Sequence, residues 1–367
     1  IEVYGYKTPA LFGDSGYYAL RSYWLSQLWK GIRLTPEILQ EIKVSYAQSV
    51  HLVFISAIYY LFGFDTILSR CFTSLFGVVT AIVFYNIGLE VTGDKRVSKL
   101  IFLILLFWPT VLLWSITHLR DTTLIFFTAL FMLLVIKFVN TRNILYFIGF
   151  LITGFFVDKV RKRILPNLVG ITFLSTLVTI KPRALKIIGI SLMLVIVVLF
   201  LINWEVDYRY IISKMLDFHR GTVLTGGNIY KFMPDKYYVR VYGHYLPQLI
   251  ESKDLFMISM KSLYHFFVQP TPVKMKNITI GLFCIPLMFG WYFIALSSML
   301  GIYIAFRDKL YRILPIFLYI ISFTFLISIV SGNVGTLCRH RDMLLPFYSI
   351  FSCIGIINLL KKNKRNK

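Results

Sequence analysis

Long apolar runs separated by short polar connectors set the plan of this chain. They fall at about 47–64, 70–91, 98–117, 121–139, 144–157, 166–181 and 184–203, and again at about 279–306, 313–331 and 343–360. A straight helical span needs roughly 20 apolar residues. The longer runs therefore predict transmembrane helices, and the short ones at 144–157 and 166–181 predict half-helices or tilted pieces. The period-2 alternation of an outer-membrane barrel is absent. The pattern predicts an all-α, polytopic helical integral membrane protein with about nine to ten transmembrane helices.

Two polar stretches interrupt the runs. In 1–46, Tyr17, Leu20, Tyr23, Trp24 and Leu28 recur at roughly helical spacing, with Arg21, Gln27 and Lys30 elsewhere. This predicts an amphipathic helix lying on the membrane surface, too polar to span it. Residues 204–278 form a long connector rich in Tyr, Lys and Arg, with loop signals in "RGTVLTGGN" and "MPDKYY". Within it, "DLFMISMKSLYHFFV" puts Asp254, Lys261, Ser262 and His265 near one helix face and Phe and Met opposite, a second interfacial helix. The chain thus divides into an amphipathic first loop (1–46), a transmembrane module (47–203), an extramembrane loop (204–278) and closing helices with a basic tail (279–367).

The tail "KKNKRNK" and the connector "RDKLYR" suit the cytoplasmic side, which sends 204–278 and 331–342 to the far side. In the first half, "TGDKRVSK", "DKVRKR" and "KPRALK" cannot all be cytoplasmic if every run spans. One run is then re-entrant, or one connector breaks the rule.

Composition agrees. Of 367 residues, 57% are hydrophobic and only 15% charged, where soluble domains carry about a quarter charged. The net charge is +22. In a soluble protein that excess would suggest nucleic acid. Here the cations cluster in connectors, where anionic headgroups account for them, so membrane lipids and not nucleic acid are the expected partners. Cys71, Cys284, Cys338 and Cys353 stand singly, with no metal or disulfide spacing.

Four places carry candidate chemistry. Asp14, in "FGDSGYYAL", could act as a general base or metal ligand, or with Ser15 could open the amphipathic helix as its cap. "WSITHLRDTTLIFF" puts His118, Arg120 and Asp121 at the junction of two runs. Arg120 and Asp121 are adjacent and so do not face each other on a helix. Asp121 could instead cap the next helix with Thr122. "LVTIKPRALK" places Lys181 and Arg183 around Pro182, as ligands or as snorkelling cations. Last, "SGNVGTLCRHRDMLLPF" sets Arg339, His340, Arg341 and Asp342 between two runs, after a turn at Gly332 and Gly335. Cations on the outer side run against the positive-inside tendency. Either these groups grip an anion, for which Arg is well shaped, or they form a structural ion pair. His219, Arg220 and His244 in the long connector are expected at the surface.

The stretches "GDSGYY", "YYLFGFDTILSRCFTSLFGVVTAIVFYNIGLEVTGDKR", "FWPTVLLWSITHLRDTTLIFF" and "NVGTLCRHRDMLLPF" together resemble the polytopic glycosyltransferases of the GT-C fold, especially prokaryotic relatives of protein mannosyltransferases and aminoarabinose transferases. The likeness covers most of 10–205 and the last hundred residues or so. It implies a transferase of the prokaryotic cytoplasmic membrane whose active site faces outward. Its donor would be a sugar on a polyprenyl phosphate, its acceptor a glycan, lipid or protein. Asp14 maps onto the catalytic acidic residue of the family's first outer loop. Arg339, Arg341 and His340 would meet the leaving phosphate, with Arg120, Asp121 or Lys181 contributing to substrate binding. Beyond the lipid-linked donor no cofactor is implied, and a divalent cation is left open. Glu37 and Glu41 are the candidates for a second acidic residue of the first loop to pair with Asp14. The family carries a transmembrane helix ahead of that loop, and this chain begins after that point, at Ile1. The alternatives are a polysaccharide polymerase or ligase using diphosphate-linked glycans, a transporter or flippase, and a structural membrane-complex subunit.

Overall fold

The computed structural model describes residues 2–3, 6–7, 13–45, 49–162, 164–179, 208–224, 228–246, 248–271 and 278–365. Helices dominate. The only strands among the described residues form two short antiparallel hairpins, β1 (Glu2–Val3) with β2 (Tyr6–Lys7) and β3 (Arg240–Val241) with β4 (His244–Tyr245). The chain separates into two compact units, Ile1–Thr172 and Phe173–Lys367.

In the first unit the helices are α1 (Gly13–Trp29), α2 (Pro36–Ser45), α3 (Val50–Phe62), α4 (Thr66–Thr92), α5 (Lys95–Phe107), α6 (Pro109–Ser115), α7 (Asp121–Thr141) and α8 (Ile144–Val160). Helix α9 (Leu165–Thr179) runs past the division. Several starts are written in the sequence as side-chain caps. Asp65 accepts from the Ile67 and Leu68 amides, Asp94 from Arg96 and Asn143 from Leu145.

Helix α1 forms where an amphipathic helix was expected, but the two ends of its aromatic stripe face outward. Tyr17 and Leu28 are exposed, while Ser15, Tyr18, Ala19, Ser22, Leu25 and Ser26 are buried. Small residues let α1 lie close against α3, near enough for the Ser22 hydroxyl to donate to the Leu52 carbonyl at 3.4 Å. Leu25, Ile42 and Leu52 then form a small core joining α1, α2 and α3, with Trp24, Leu34 and Ile38 against it. The first loop is thus a packed helical hairpin.

The second unit contains α10 (Tyr208–Leu224), α11 (Ser252–Val268), α12 (Ile278–Arg307), α13 (Leu314–Val330), α14 (Val334–Asp342) and α15 (Leu345–Arg365). Helices α12 and α15 cross where glycines remove the side chains between them. A Cβ on Gly301 would lie 1.7 Å from the Phe351 carbonyl oxygen, and one on Gly355 would lie 2.6 Å from that of Ser297. Ser297 and Ser352 hydroxyls bond across the crossing at 2.6 Å. Small residues and hydroxyl bonds are how helices associate in lipid.

Helix α11 is amphipathic, but Ser262 belongs to its buried face. Ile258, Ser262 and Phe266 pack on α13, with Ser262 Oγ 3.2 Å from Ser328 Oγ. Phe256, Met260 and Tyr264 are exposed at four-residue spacing, the apolar face an interfacial helix lays on lipid.

Among the described residues, four helical stretches are long and apolar enough to cross a membrane: Thr66–Thr92, Asp121–Thr141, Pro286–Arg307 and Tyr311–Val330. Two bent pairs, Lys95–Phe107 with Pro109–Ser115 and Val334–Asp342 with Leu345–Lys361, raise this to six if each is one span. The expected nine to ten counted every apolar run. The run at 98–117 breaks by 61° where Pro109 opens a new helix, because proline has no amide to continue the old one. The run at 47–64 yields only the 13-residue α3, and 184–203 lies outside the described residues. The protein is an all-α, polytopic membrane protein.

Candidate functional site

Each unit holds a buried polar centre. In the first it is built around the segment between α6 and α7. Thr117 and Thr122 hydroxyls both donate to the Trp114 carbonyl, at 2.8 and 3.0 Å, and so close the turn. His51, in the apolar helix α3, reaches across to it. His51 Nε2 lies 3.1 Å from the His118 carbonyl and Nδ1 lies 2.9 Å from Thr123 Oγ1. A carbonyl only accepts, so Nε2 carries the proton and Nδ1 of the neutral ring accepts from the threonine hydroxyl. His118 Nε2 in turn meets Ser69 Oγ at 2.6 Å, and Tyr59 OH lies 3.2 Å from the same hydroxyl. The Tyr18 ring stands edge-on to His51 with centroids 5.5 Å apart. His51, Tyr59, Ser69, His118 and Thr123 are all buried. Four helices and the turn are stitched together by polar groups in an apolar setting, where each unmade bond is costly.

Arg120 and Asp121 sit on this turn. Arg120 is half-buried at the N-cap position of α7 and gives no side-chain cap. Asp121 does not cap the helix either. It is the first helical residue and is buried, where a carboxylate faces the positive end of the helix. Asp14 lies in the first turn of α1, four residues before Tyr18 and so on the same face of that helix; its side chain is outside the described residues, as is Lys181. Of the other acidic residues in the first loop, Glu41 is 2.8 Å from Arg21 Nη2 and Glu37 is exposed.

In the second unit the segment 334–342, expected to follow a flexible turn, is helix α14. Asn333 caps it, accepting from the Gly335 and Thr336 amides. Residues 228–230 run beside its start: Tyr230 N donates to the Gly332 carbonyl at 3.0 Å and Val334 N to that of Asn228 at 2.8 Å. The three basic residues Arg339, His340 and Arg341 occupy the last turn of α14, where positive charge suits the helix dipole, but their settings differ. Arg341 is buried. Its Nη1 donates to the Gln269 and Phe266 carbonyls at 2.5 and 3.3 Å, and its guanidinium lies 4.6 Å from the Trp291 ring centroid. It ties α14 to the end of α11. Arg339 and His340 are half-buried, and Asp342 is buried.

His219 and Arg220 are not surface residues; both are fully buried, whereas His244 is exposed. A Cβ on Gly332 would meet the His219 ring at 2.8 Å, and the space it leaves lets the Ser331 carbonyl come within 2.6 Å of His219 Nδ1. On the other edge Nε2 meets Tyr238 OH at 2.7 Å. Burial pushes His219 down to about 4. The Tyr230 ring stacks on His265 with centroids 4.4 Å apart. Among the described residues no group of three or more His, Cys, Asp or Glu is placed to hold a metal ion.

Residues 47–157 match the family model of dolichyl-phosphate-mannose-protein mannosyltransferase (PMT). That stretch holds the whole network from His51 through Ser69 and His118 to Thr123, together with Arg120 and Asp121. It covers less than a third of the 367 residues and includes neither Asp14 nor any of the second unit. The PMT match supports the GT-C glycosyltransferase resemblance seen in the sequence, and with the apolar helices it supports an integral membrane glycosyltransferase. No curated protein and no solved structure matches the chain.

Sequence reasoning missed His51, Ser69, Tyr59 and Thr123. One signal was present: His51 is an ionisable residue inside an apolar run, and such residues face polar partners. Its hydrogen-bond partners are 67 and 72 positions away in sequence, which spacing does not disclose.

Proposed function

We propose that this protein moves a sugar from a polyprenyl-phosphate-linked donor to a hydroxyl acceptor on the outer side of the membrane. The observation that carries the reading is the PMT match over 47–157, which coincides with the buried polar network around 116–123. In the reaction the acceptor oxygen attacks the anomeric carbon, the bond from that carbon to the phosphate oxygen breaks, and polyprenyl phosphate departs. Asp14 takes the proton of the attacking hydroxyl, a role that needs a carboxylate beside the acceptor. Positive groups offset the charge that grows on the leaving phosphate. Arg339 and His340 are the candidates on α14, with Arg341 bonded to backbone carbonyls beside them, and Arg120 and Lys181 are further candidates for binding substrate. Asp121, buried at the first position of α7, is a further candidate for binding substrate beside Arg120. The network around His51 supports this chemistry by holding the Arg120–Asp121 turn rigid.

The test is release of polyprenyl phosphate from a polyprenyl-phosphate sugar by the full chain in lipid nanodiscs, with and without a divalent cation. The wild type is expected to release it on addition of acceptor, and Asp14→Asn to lose release about a hundredfold or more, the scale of one general base. Release that persists in Asp14→Asn removes the base assignment. No release from any polyprenyl-phosphate sugar, with release from a diphosphate-linked glycan, replaces the reading with a polymerase or ligase.

A further inference from the structure

Arg220, near the end of α10, is fully buried. Its Nη1 pairs with Asp217, three residues earlier on the helix. Its Nε and Nη2 are also buried, and among the described residues no group accepts a hydrogen bond from either. These two groups belong together. The Nε–H bond and the Nη2–H bond on the same edge of a guanidinium are parallel, and they form the fork that grips an oxyanion through two bonds. One edge of Arg220 is therefore satisfied by Asp217, and the other edge is open as a complete fork.

Arg341 shows what a guanidinium built in as a brace looks like. Its Nη1 and Nη2 are engaged with two carbonyls and the Cys338 sulfur, its face lies on Trp291, and only Nε lacks an acceptor. Arg220 has no such set. A buried N–H without an acceptor costs about 1–3 kcal/mol, and folded proteins retain few. Asp217 is one-third exposed, so water weakens its hold on the Arg220 charge. The adjacent His219 is held neutral between Ser331 and Tyr238 and adds no competing charge.

We propose that the Nε–Nη2 edge of Arg220 is a binding site for a phosphate-type oxyanion. In a membrane protein of net charge +22, surrounded by anionic headgroups, the oxyanion at hand is a phosphate, either on a lipid or free. The proposal does not rest on the transfer reaction.

The experiment is thermal stabilisation of the full chain in detergent by increasing inorganic phosphate, by a short-chain prenyl monophosphate, and by the corresponding prenyl alcohol as a control. Wild type, Arg220→Lys and Asp217→Asn are compared. Arg220→Lys keeps the charge and removes the fork, and is expected to weaken phosphate binding about tenfold or more. Asp217→Asn removes the competing carboxylate and is expected to strengthen it. Stabilisation by prenyl phosphate but not by inorganic phosphate supports the site with a lipid headgroup as its source. Equal stabilisation by both supports it with free phosphate sufficing. No stabilisation of the wild type beyond that by the alcohol, or binding unchanged in both variants, overturns it. Should Arg220→Lys not fold, Asp217→Asn decides alone, and binding that stays equal or weakens overturns the proposal.

Discussion

His51 and His219 each sit at 0% exposure with both ring nitrogens engaged, and each ties a turn to a helix distant in sequence. Replacing His51 by Leu leaves the His118 carbonyl and the Thr123 hydroxyl bare. At about 1–3 kcal/mol for each stranded group, the variant is expected to unfold at clearly lower temperature in detergent, with His51→Gln recovering part because an amide still donates. An unfolding temperature equal to the wild type's would refute the clamp. For His219 the consequence is a pH dependence. The folded ring is held at about 4 against an ordinary 6.5, so the unfolded chain takes up the proton first. Stability from this group is complete above 6.5, falls as pH drops from 6.5 to about 4, and falls no further below that. A melting series over that window is expected to slope more steeply for the wild type than for His219→Gln; parallel slopes would remove His219 as the cause.

At the scale of elements, close approach decides which helices pair. The α12–α15 crossing tolerates no Cβ at Gly301. Gly301→Ala is expected to push the helices apart and cost about 1–3 kcal/mol or more, read as a lowered unfolding temperature. Gly170 on α9 is the matched control: a Cβ there meets nothing within 4 Å, so Gly170→Ala is expected to be neutral or mildly stabilising through the unfolded chain. Equal effects at the two glycines would show that the crossing is not tight. The caps at Asp65, Asp94 and Asn143 could be read from sequence because an N-cap needs only a local side chain. The start of α14 carried the same signal in Asn333, masked by the neighbouring glycines, which read as a turn.

For the whole molecule, cations in connectors and an apolar surface make lipid the natural solvent. A net charge of +22 predicts that anionic lipid stabilises the chain by about 1 kcal/mol per basic residue brought near the headgroups. The unfolding temperature is therefore expected to be higher in nanodiscs containing phosphatidylglycerol than in pure phosphatidylcholine. The gap should shrink as salt rises, since screening shortens the reach of these charges. No difference between the two lipids would refute the headgroup assignment for the connectors.

The apolar runs by themselves determined an all-α membrane protein, since in hydrocarbon only a helix or a closed barrel satisfies its own backbone. Sequence also located the polar turn at 116–123, because charged residues stand out between apolar runs. Tertiary structure decided what those residues do. It turned the small-residue face of α1 inward and left Tyr17 and Leu28 of its aromatic stripe exposed, because close helix contact depends on what lies opposite. It spent Arg341, read as an anion grip or an ion-pair member, on the carbonyls at the end of α11, and it buried Arg220, read as a surface residue, with one edge lacking an acceptor among the described residues. The physical reason is the same in each case: a span is fixed by its own composition, but a polar group's role is fixed by its partners, and those lie up to 112 positions away along the chain.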